Sequence, residues 1–287
     1  MGRADDLIKR IQDNYAKLSK SQKIIAEYII NHYDKAAFMT AAKLGATINI
    51  SESTVVRFAN ALGYNGYPEL QNALQELIKT KLTTVQRLEM TEEKDEIAVL
   101  NNVLKSDIEN IKETLHEIDK EDFRKVVSKI LEASKIYIVA SRSSIVIAEY
   151  LAFYLNLIRG NVSVVKPGVS DVFEQILRVG ETDLVIGIGF PRYSKRTVEV
   201  LKYAKTQRAK IVAITDSLIS PLTSVADEVL IAKSHMASFV DSLVAPLSLV
   251  NALVVAVGLK EREKVADTFE KLESIWDEYG VYISKQG

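Results

Sequence analysis

Cysteine is absent from the 287 residues, which excludes a disulfide scaffold, a thiolate metal site and a cysteine nucleophile. Histidine is scarce. His32, His116 and His235 lie far apart, and no two share a ligand spacing such as HxxxH, so no metal or other cofactor is expected. No window approaches 18 uncharged apolar residues, so no transmembrane helix is expected. Asp5 and Asp6 stand where a signal peptide would carry its apolar stretch, which points to a cytoplasmic protein. Net charge is almost missing too: 37 Lys and Arg against 38 Asp and Glu leave −1, so no global basic field announces a nucleic-acid partner. What remains is 47% hydrophobic and 26% charged residues, an ordinary globular composition. At about 150 residues per domain the chain is long enough for two.

Charge and pattern both change along the chain. Residues 1–80 hold 10 basic and 8 acidic side chains, 81–120 hold 6 and 10, and 121–287 hold 21 and 20. The last segment carries β-branched runs at Ile136–Ala140, Asn161–Val165, Asp183–Ile188, Lys210–Thr215 and Glu228–Ile231. They alternate with longer amphipathic stretches, the mark of a parallel sheet in an α/β domain. The first segment has no such runs and reads as all helix. Between them, Ile97, Leu100, Val103, Leu104, Ile108, Ile111 and Leu115 fit one long helix, a helical connector with a looser stretch near Glu92–Glu96. The expected division is therefore a head at 1–80, a connector at 81–120 and a body at 121–287. No internal repeat or low-complexity segment is present.

In the head, Ser19 and Gln22 have capping-box spacing, and Ile24, Ile25, Tyr28 and Ile29 give the following helix an apolar face. Thr40 is placed to cap a short helix from Ala41 to about Gly45, in which Ala41, Ala42 and Leu44 suit close packing. Ile48-Asn49-Ile50 then makes a turn, and Ser51 caps a helix to about Leu62. Val55, Phe58, Ala59 and Leu62 fall on one face and must point inward. Glu52, Ser53, Thr54, Arg57 and Asn60 are left outward, and Gly63 stops the helix. A short helix, a tight turn and a helix with small polar residues at its start form a helix-turn-helix, whose second helix enters the major groove. Ser53 and Thr54 can reach bases or phosphates, and Arg57 can take guanine or phosphate. The loop from Tyr64 to Tyr67, ahead of Pro68 at a helix start, could touch the backbone. The candidate DNA contacts are Lys43, Ser51, Ser53, Thr54, Arg57, Asn60 and Tyr64. A helical dimerisation cap would use the same capping residues, and a head charge of +2 is slight for phosphate binding.

The body places hydroxyls and cations where strands give way to helices. Ile136–Ala140 runs into Ser141, Arg142, Ser143 and Ser144, then an apolar helix from Ile145 to Leu157. Leu184–Gly189 runs into Arg192, Ser194, Lys195, Arg196 and Thr197, with a helix from about Val198. A third strand leads to Thr215, Ser217 and Ser220. Ligands of open α/β sheets sit outside the carboxyl ends of the strands, where helix N-termini favour anions. One serine at such a junction would be a cap; three junctions that pair hydroxyls with cations read as an anion-binding site. No GxGxxG and no P-loop pattern is present.

These residues carry a resemblance. The stretch Ser51-Glu52-Ser53-Thr54-Val55-Val56-Arg57-Phe58, ending in Leu62-Gly63-Tyr64, is similar to the helix-turn-helix of RpiR-type bacterial regulators. Ser141–Ser144, Phe190–Ser194 with Thr197, and Thr215-Asp216-Ser217 with Ser220-Pro221-Leu222 and Ala226-Asp227 resemble the sugar isomerase (SIS) domain of those regulators. The resemblance covers nearly the whole chain. It implies an α/β chain: an all-α head joined by a helical connector to a doubly wound α/β sandwich with a central parallel sheet. It also implies a homo-oligomeric regulator of sugar metabolism whose affinity for double-stranded operator DNA responds to a sugar phosphate. Ser143 or Ser144 matches the family's phosphate-binding serine, and Ser194 and Thr197 match hydroxyls of its second loop. Ala140 stands where many SIS domains have glycine, and Lys195-Arg196 where glycine and a polar residue are usual. The added positive charge suggests a sugar acid or another more acidic effector.

An isomerase with a helical cap is the competing enzymatic reading. It needs a base poised near neutral pH, and the candidates are Glu149, Glu174 and His235. A sensor acting on a protein partner is a third. On the C-terminal helix, Glu261 to Tyr279, the stripe Val265, Phe269, Leu272, Ile275 and Trp276 suits core, dimer interface or connector contact equally.

Overall fold

Buried apolar side chains collect into separate cores, one in the unit Met1–Glu92 and two in the unit Glu93–Gly287. The computed structural model describes residues 7, 10, 11, 14–81, 85, 88, 95–218 and 220–282. Glu92 to Lys94, in the stretch expected to be loose, lie outside them, as does most of 82–91.

The first unit is helical throughout its described residues. Helix α1 (Lys20–Asn31) opens on the expected capping box: Gln22 N–H donates to Ser19 Oγ at 3.4 Å, and Ser19 N–H to Gln22 Oε1 at 3.0 Å. Ile25, Ala26 and Ile29 are buried, whereas Ile24, expected inward, is 42% exposed. It sits about 100° round the helix from Ile25, at the rim of the buried stripe. After the single turn α2 (Tyr33–Ala36), helix α3 (Ala41–Thr47) is capped by Thr40, whose Oγ1 accepts from Lys43 N–H at 3.2 Å. It runs two residues past the expected end at Gly45, and Ala42 faces solvent rather than the core.

The turn that follows is a Schellman motif. Asn49 takes the left-handed conformation (φ 59°), and Ile50 N–H donates to Gly45 C=O at 2.8 Å. A Cβ on Gly45 would stand 2.4 Å from the Ile50 carbonyl oxygen, so this position admits only glycine. Helix α4 (Glu52–Ala61) follows, with Val55, Phe58, Ala59 and Leu62 buried as the spacing requires. Helix α5 (Tyr67–Lys81) begins one residue before Pro68. Tyr67 is 4% exposed, and its hydroxyl donates to Met39 C=O at 2.7 Å, tying α5 to the start of α3.

The second unit is a five-stranded parallel sheet in the order β2-β1-β3-β4-β5: β1 Ile136–Ala140, β2 Val162–Val165, β3 Leu184–Ile188, β4 Lys210–Thr215 and β5 Glu228–Ile231. β2 and β3 start one residue later than the apolar runs. Alternate residues serve opposite faces. Ile136, Ile138 and Ala140 enter one core with Leu184, Ile186 and Ile188, while Tyr137, Val139 and Val185 enter the other. Helix α6 (Glu96–Glu117) belongs to this unit. Helices α7 (Lys120–Glu132), α8 (Ser144–Arg159) and α11 (Val244–Lys260) cover the first face; the short α9 (Val172–Gln175) and α10 (Lys195–Thr206) cover the second. Helix α12 (Arg262–Glu278) sets Val265 against the first core and leaves Ile275 exposed. No single helix among the described residues is long and apolar enough to cross a membrane.

Helix α6, expected as a separate connector, is held to the body by polar side chains that its apolar spacing did not reveal. Asn110 is fully buried: Oδ1 accepts from His235 N–H and Nδ2 donates to His235 C=O, both at 2.9 Å. Thr114 Oγ1 accepts from Lys233 N–H at 2.8 Å, and Glu117 pairs with Lys233 at 2.6 Å.

Two predictions follow the head's packing. Gly45→Ala destabilises the head by about 1–3 kcal/mol through overpacking against the Ile50 carbonyl. A far-UV dichroism transition then moves to lower urea, while fluorescence of Trp276, the one Trp of the chain and part of the second unit, is unmoved. Burial also pushes the Tyr67 hydroxyl up to about 12. The unfolded chain, with tyrosine near 10, ionises first, so the head loses stability as pH rises from 10 towards 12. Urea titrations across pH 7 to 11 check this, and Tyr67→Phe flattens the slope at a cost of about 1 kcal/mol at neutral pH.

Candidate functional site

The chain leaves the two central strands in opposite directions: from β1 into α8 on one face, from β3 into α10 on the other. Between them lies the topological switch point, the crevice where open sheets bind ligands. Ala140 and Ile188 pair in register, so both strands end level. Immediately beyond, Ser141 Oγ and Thr197 Oγ1 stand 3.0 Å apart, although 56 residues separate them in sequence.

Each junction has a local cause. Helix α10 begins at Lys195, three residues before the expected start, because Ser194 is its cap: Ser194 Oγ accepts from Thr197 N–H at 3.3 Å. Thr197 thereby falls on the inner face of the first turn, 2% exposed, aimed at Ser141. Helix α8 begins at Ser144, which is buried, and the side chain of Ser143 makes no cap bond. Arg142 and Arg192 both take left-handed backbone conformations (φ 57° and 65°), a strain of order 1–3 kcal/mol for a residue other than glycine. Arg142 is followed by Ser143 in the right-handed helical region, an alternation that turns successive N–H groups towards one another.

The cations divide. Arg142 and Arg192 are exposed at the crevice. Arg196 pairs with Asp171, and its guanidinium lies over the Phe173 ring at 4.7 Å. The Lys195 side chain is 90% exposed and 3.6 Å from Glu199. The third junction is structural in large part: the fully buried Thr215 donates to Gly189 C=O at 2.7 Å, and Ser220, 2% exposed, accepts from Leu222 N–H at 3.3 Å. Ser217 is half-buried at the same edge. One feature escaped the sequence reading. Asp216, 4% exposed, accepts from the Tyr193 hydroxyl at 2.7 Å, locking the loop after β3 to the end of β4. Both residues sit just past adjacent strands, the one signal that could have paired them.

None of the three candidate bases is unpartnered. Glu149 pairs with Lys166, Glu174 accepts from Asp171 N–H at 3.0 Å, and His235 Nε2 lies 3.0 Å from Glu113. Among the described residues no group of three His, Asp or Glu could hold a metal ion.

In the head, Ser53, Arg57 and Asn60 are exposed along one face of α4, and Lys43 is exposed on α3. Ser51 precedes the helix as expected, but its hydroxyl meets Thr54 Oγ1 at 2.8 Å and Ser53 Oγ at 3.1 Å and caps no backbone N–H. Arg57 Nη2 donates to Thr54 Oγ1 at 3.1 Å. Tyr64 is half-buried, with the Arg10 guanidinium 5.1 Å from its ring.

Both units are similar to known proteins. A family model described as the helix-turn-helix domain of the rpiR family matches residues 5–81, and one described as the SIS domain matches residues 129–256. An uncharacterised HTH-type transcriptional regulator of Haemophilus influenzae is 28% identical over 235 residues, 80% of this chain and 81% of its own. The sugar isomerase domain of an RpiR transcription factor from Sphaerobacter thermophilus superposes with a TM-score of 0.59 at 28% identity, over 61% of this chain and 98% of that one. NanR of Vibrio vulnificus, complexed with ManNAc-6P, shares the fold over 94% of this chain and 98% of its own, with a TM-score of 0.57 at 22% identity.

Tyr193→Phe removes a hydrogen bond to a buried carboxylate and lowers the stability of the second unit by about 1.5–3 kcal/mol. Lys195→Ala, at an exposed pair, changes it by less than about 0.5 kcal/mol. Urea unfolding followed by Trp276 fluorescence measures both.

Proposed function

The chain belongs to the RpiR-type transcription regulators, a helix-turn-helix joined to a SIS domain, and from that premise we propose that an anionic sugar, a sugar phosphate or sugar acid, is its effector. The observation that carries this reading is the meeting of Ser141 and Thr197 at the β1/β3 switch point, flanked by two left-handed arginines. The anion is taken by the N–H groups at the starts of α8 and α10 and by the hydroxyls of Ser141, Ser143, Ser144, Ser194 and Thr197. Arg142 and Arg192 add charge-assisted bonds, with Lys195 at the rim. Ser217 is left for the sugar; Thr215 and Ser220 hold the edge in shape. The ManNAc-6P bound by NanR is a ligand of this class.

The protein is a DNA-binding regulator. Its proposed contacts are Ser53, Arg57 and Asn60 towards the major groove, and Lys43, Ser51, Thr54 and Tyr64 towards the backbone. We infer that it works as a homo-oligomer, a dimer or tetramer, so that two heads read half-sites one duplex turn or a multiple apart. Effector binds one arrangement of the oligomer better than another and alters DNA affinity through that difference, a coupling typically of 5- to 150-fold. The isomerase reading is not favoured: a proton shuttle needs a free base at the crevice, and Glu149, Glu174 and His235 each hold a structural partner.

Fluorescence anisotropy with the DNA upstream of the protein's own gene, across a salt series and against competitor DNA, tests both halves. Tight binding should fall steeply with salt, and Arg57→Ala should weaken it by about 1–3 kcal/mol, roughly 5- to 150-fold. A panel of sugar phosphates and sugar acids should shift the affinity where neutral sugars do not, and Thr197→Val should abolish that shift. Absence of binding to any DNA at low salt overturns the head's role. Equal response to neutral sugars overturns the anion site.

A further inference from the structure

Helix α6 is amphipathic the wrong way round for its own unit. The arc that faces the body is polar: Asp107 accepts from the Ser242 hydroxyl at 2.5 Å, and Asn110, Thr114 and Glu117 bind Lys233 and His235. The apolar arc faces out. Ile97 is 64% exposed, Leu100 53%, Leu104 53%, Ile108 52%, Ile111 38% and Leu115 74%. An uninterrupted apolar stripe about 27 Å long is more than a solitary helix leaves in water. Its polar anchoring fixes the helix without covering it.

We propose that this stripe pairs antiparallel with the same stripe of a second copy of the chain, about a two-fold axis level with residue 106. Two observations select a second copy as the occupant. First, the spacing reads nearly the same from either end: Ile97 and Leu115 lie equally far from residue 106, as do Leu104 and Ile108, while Leu100 and Ile111 match to within one residue. Two-fold pairing therefore sets Ile97 against Leu115, Leu100 against Ile111 and Leu104 against Ile108 of the other copy, each contact made twice. Second, the intervals of three, four, four, three and four residues are the eleven-residue pattern, about 3.67 per turn. That is close to the 3.6 of a straight helix, so two such stripes stay in contact along their whole length.

The far end of the stripe also has a place for its partner. Ile111 and Leu115 form one wall of an apolar groove of about 530 Å³, closed by Ile118, Phe123, Leu249 and Ala252. The antiparallel register delivers the first turn of the second copy's α6, with its Ile97, to the mouth of that groove. This inference rests on the reading that the regulator is a homo-oligomer and locates one of its interfaces.

Sedimentation velocity of the full chain, with Leu104→Glu and Ile108→Glu beside it, reads the interface. Both residues are more than half exposed in a single copy, so dichroism should be unchanged while the assembly falls one step, dimer to monomer or tetramer to dimer. The absence of cysteine makes register testable with a short bis-maleimide. The doubly substituted chain Ile97→Cys with Leu115→Cys should cross-link into dimers, and neither single variant should, because like residues lie far apart in an antiparallel pair. Cross-linking by the single variants would mean a parallel pair and overturn the proposal. A wild-type monomer at 100 micromolar, on the order of the highest working concentrations, would overturn both this and the oligomer reading. An oligomer untouched by either glutamate, with no cross-link in the double variant, would overturn the interface and leave the oligomer standing.

Discussion

The parallel pairing of β1 with β3 is the constraint on which the second unit depends. Residues far apart in sequence become neighbours there because Ile136 to Ala140 align one-to-one with Leu184 to Ile188. A slip of one residue would turn every side chain of a strand to the other face, exchanging the isoleucines of one core for the tyrosine and valines of the other. With that register held, the two strands end level and their helices depart on opposite faces. The hydroxyls of Ser141 and Thr197 then meet over the gap between them. The meeting of these two hydroxyls follows from where the strands stop.

The head rests on a close approach of comparable strictness. At Gly45 the chain turns back so tightly that a carbonyl oxygen occupies the space of the missing side chain. That approach sets the angle between α3 and α4 and hence the direction in which Ser53, Arg57 and Asn60 project. The two units thus use one device, a helix N-terminus held open by tight backbone geometry: Asn49 in the head, Arg142 and Arg192 in the body, all left-handed.

Much of this was legible in the sequence because it is written in short-range chemistry. The capping box at Ser19, the cap at Thr40, the buried face of Val55, Phe58, Ala59 and Leu62, and all five strands depend on neighbours within a turn or on simple alternation. The misplacements have equally local causes. Ile24 lies at the rim of the buried stripe because that stripe is one residue narrower than its apolar spacing predicts. Helix α10 starts at Lys195 and not at Val198 because Ser194 is its cap. Helix α6 is one long helix, as its apolar spacing predicts, but the residues it buries are the polar Asn110 and Thr114. Hydropathy marks what water rejects and is silent about a polar side chain that finds every partner inside.

The sequence by itself determined the two kinds of domain, the order in which they occur, the strands and helices with their inward faces, and the family to which the chain is similar, since periodicity and capping act over a few residues. Only the tertiary structure decided which hydroxyls face each other, that Arg196 is held by Asp171 and Phe173, that Thr215 is bound to the Gly189 carbonyl, and that Tyr193 locks Asp216. It also decided which side of α6 is buried. These are contacts between distant segments, and their geometry is set by strand register and helix packing.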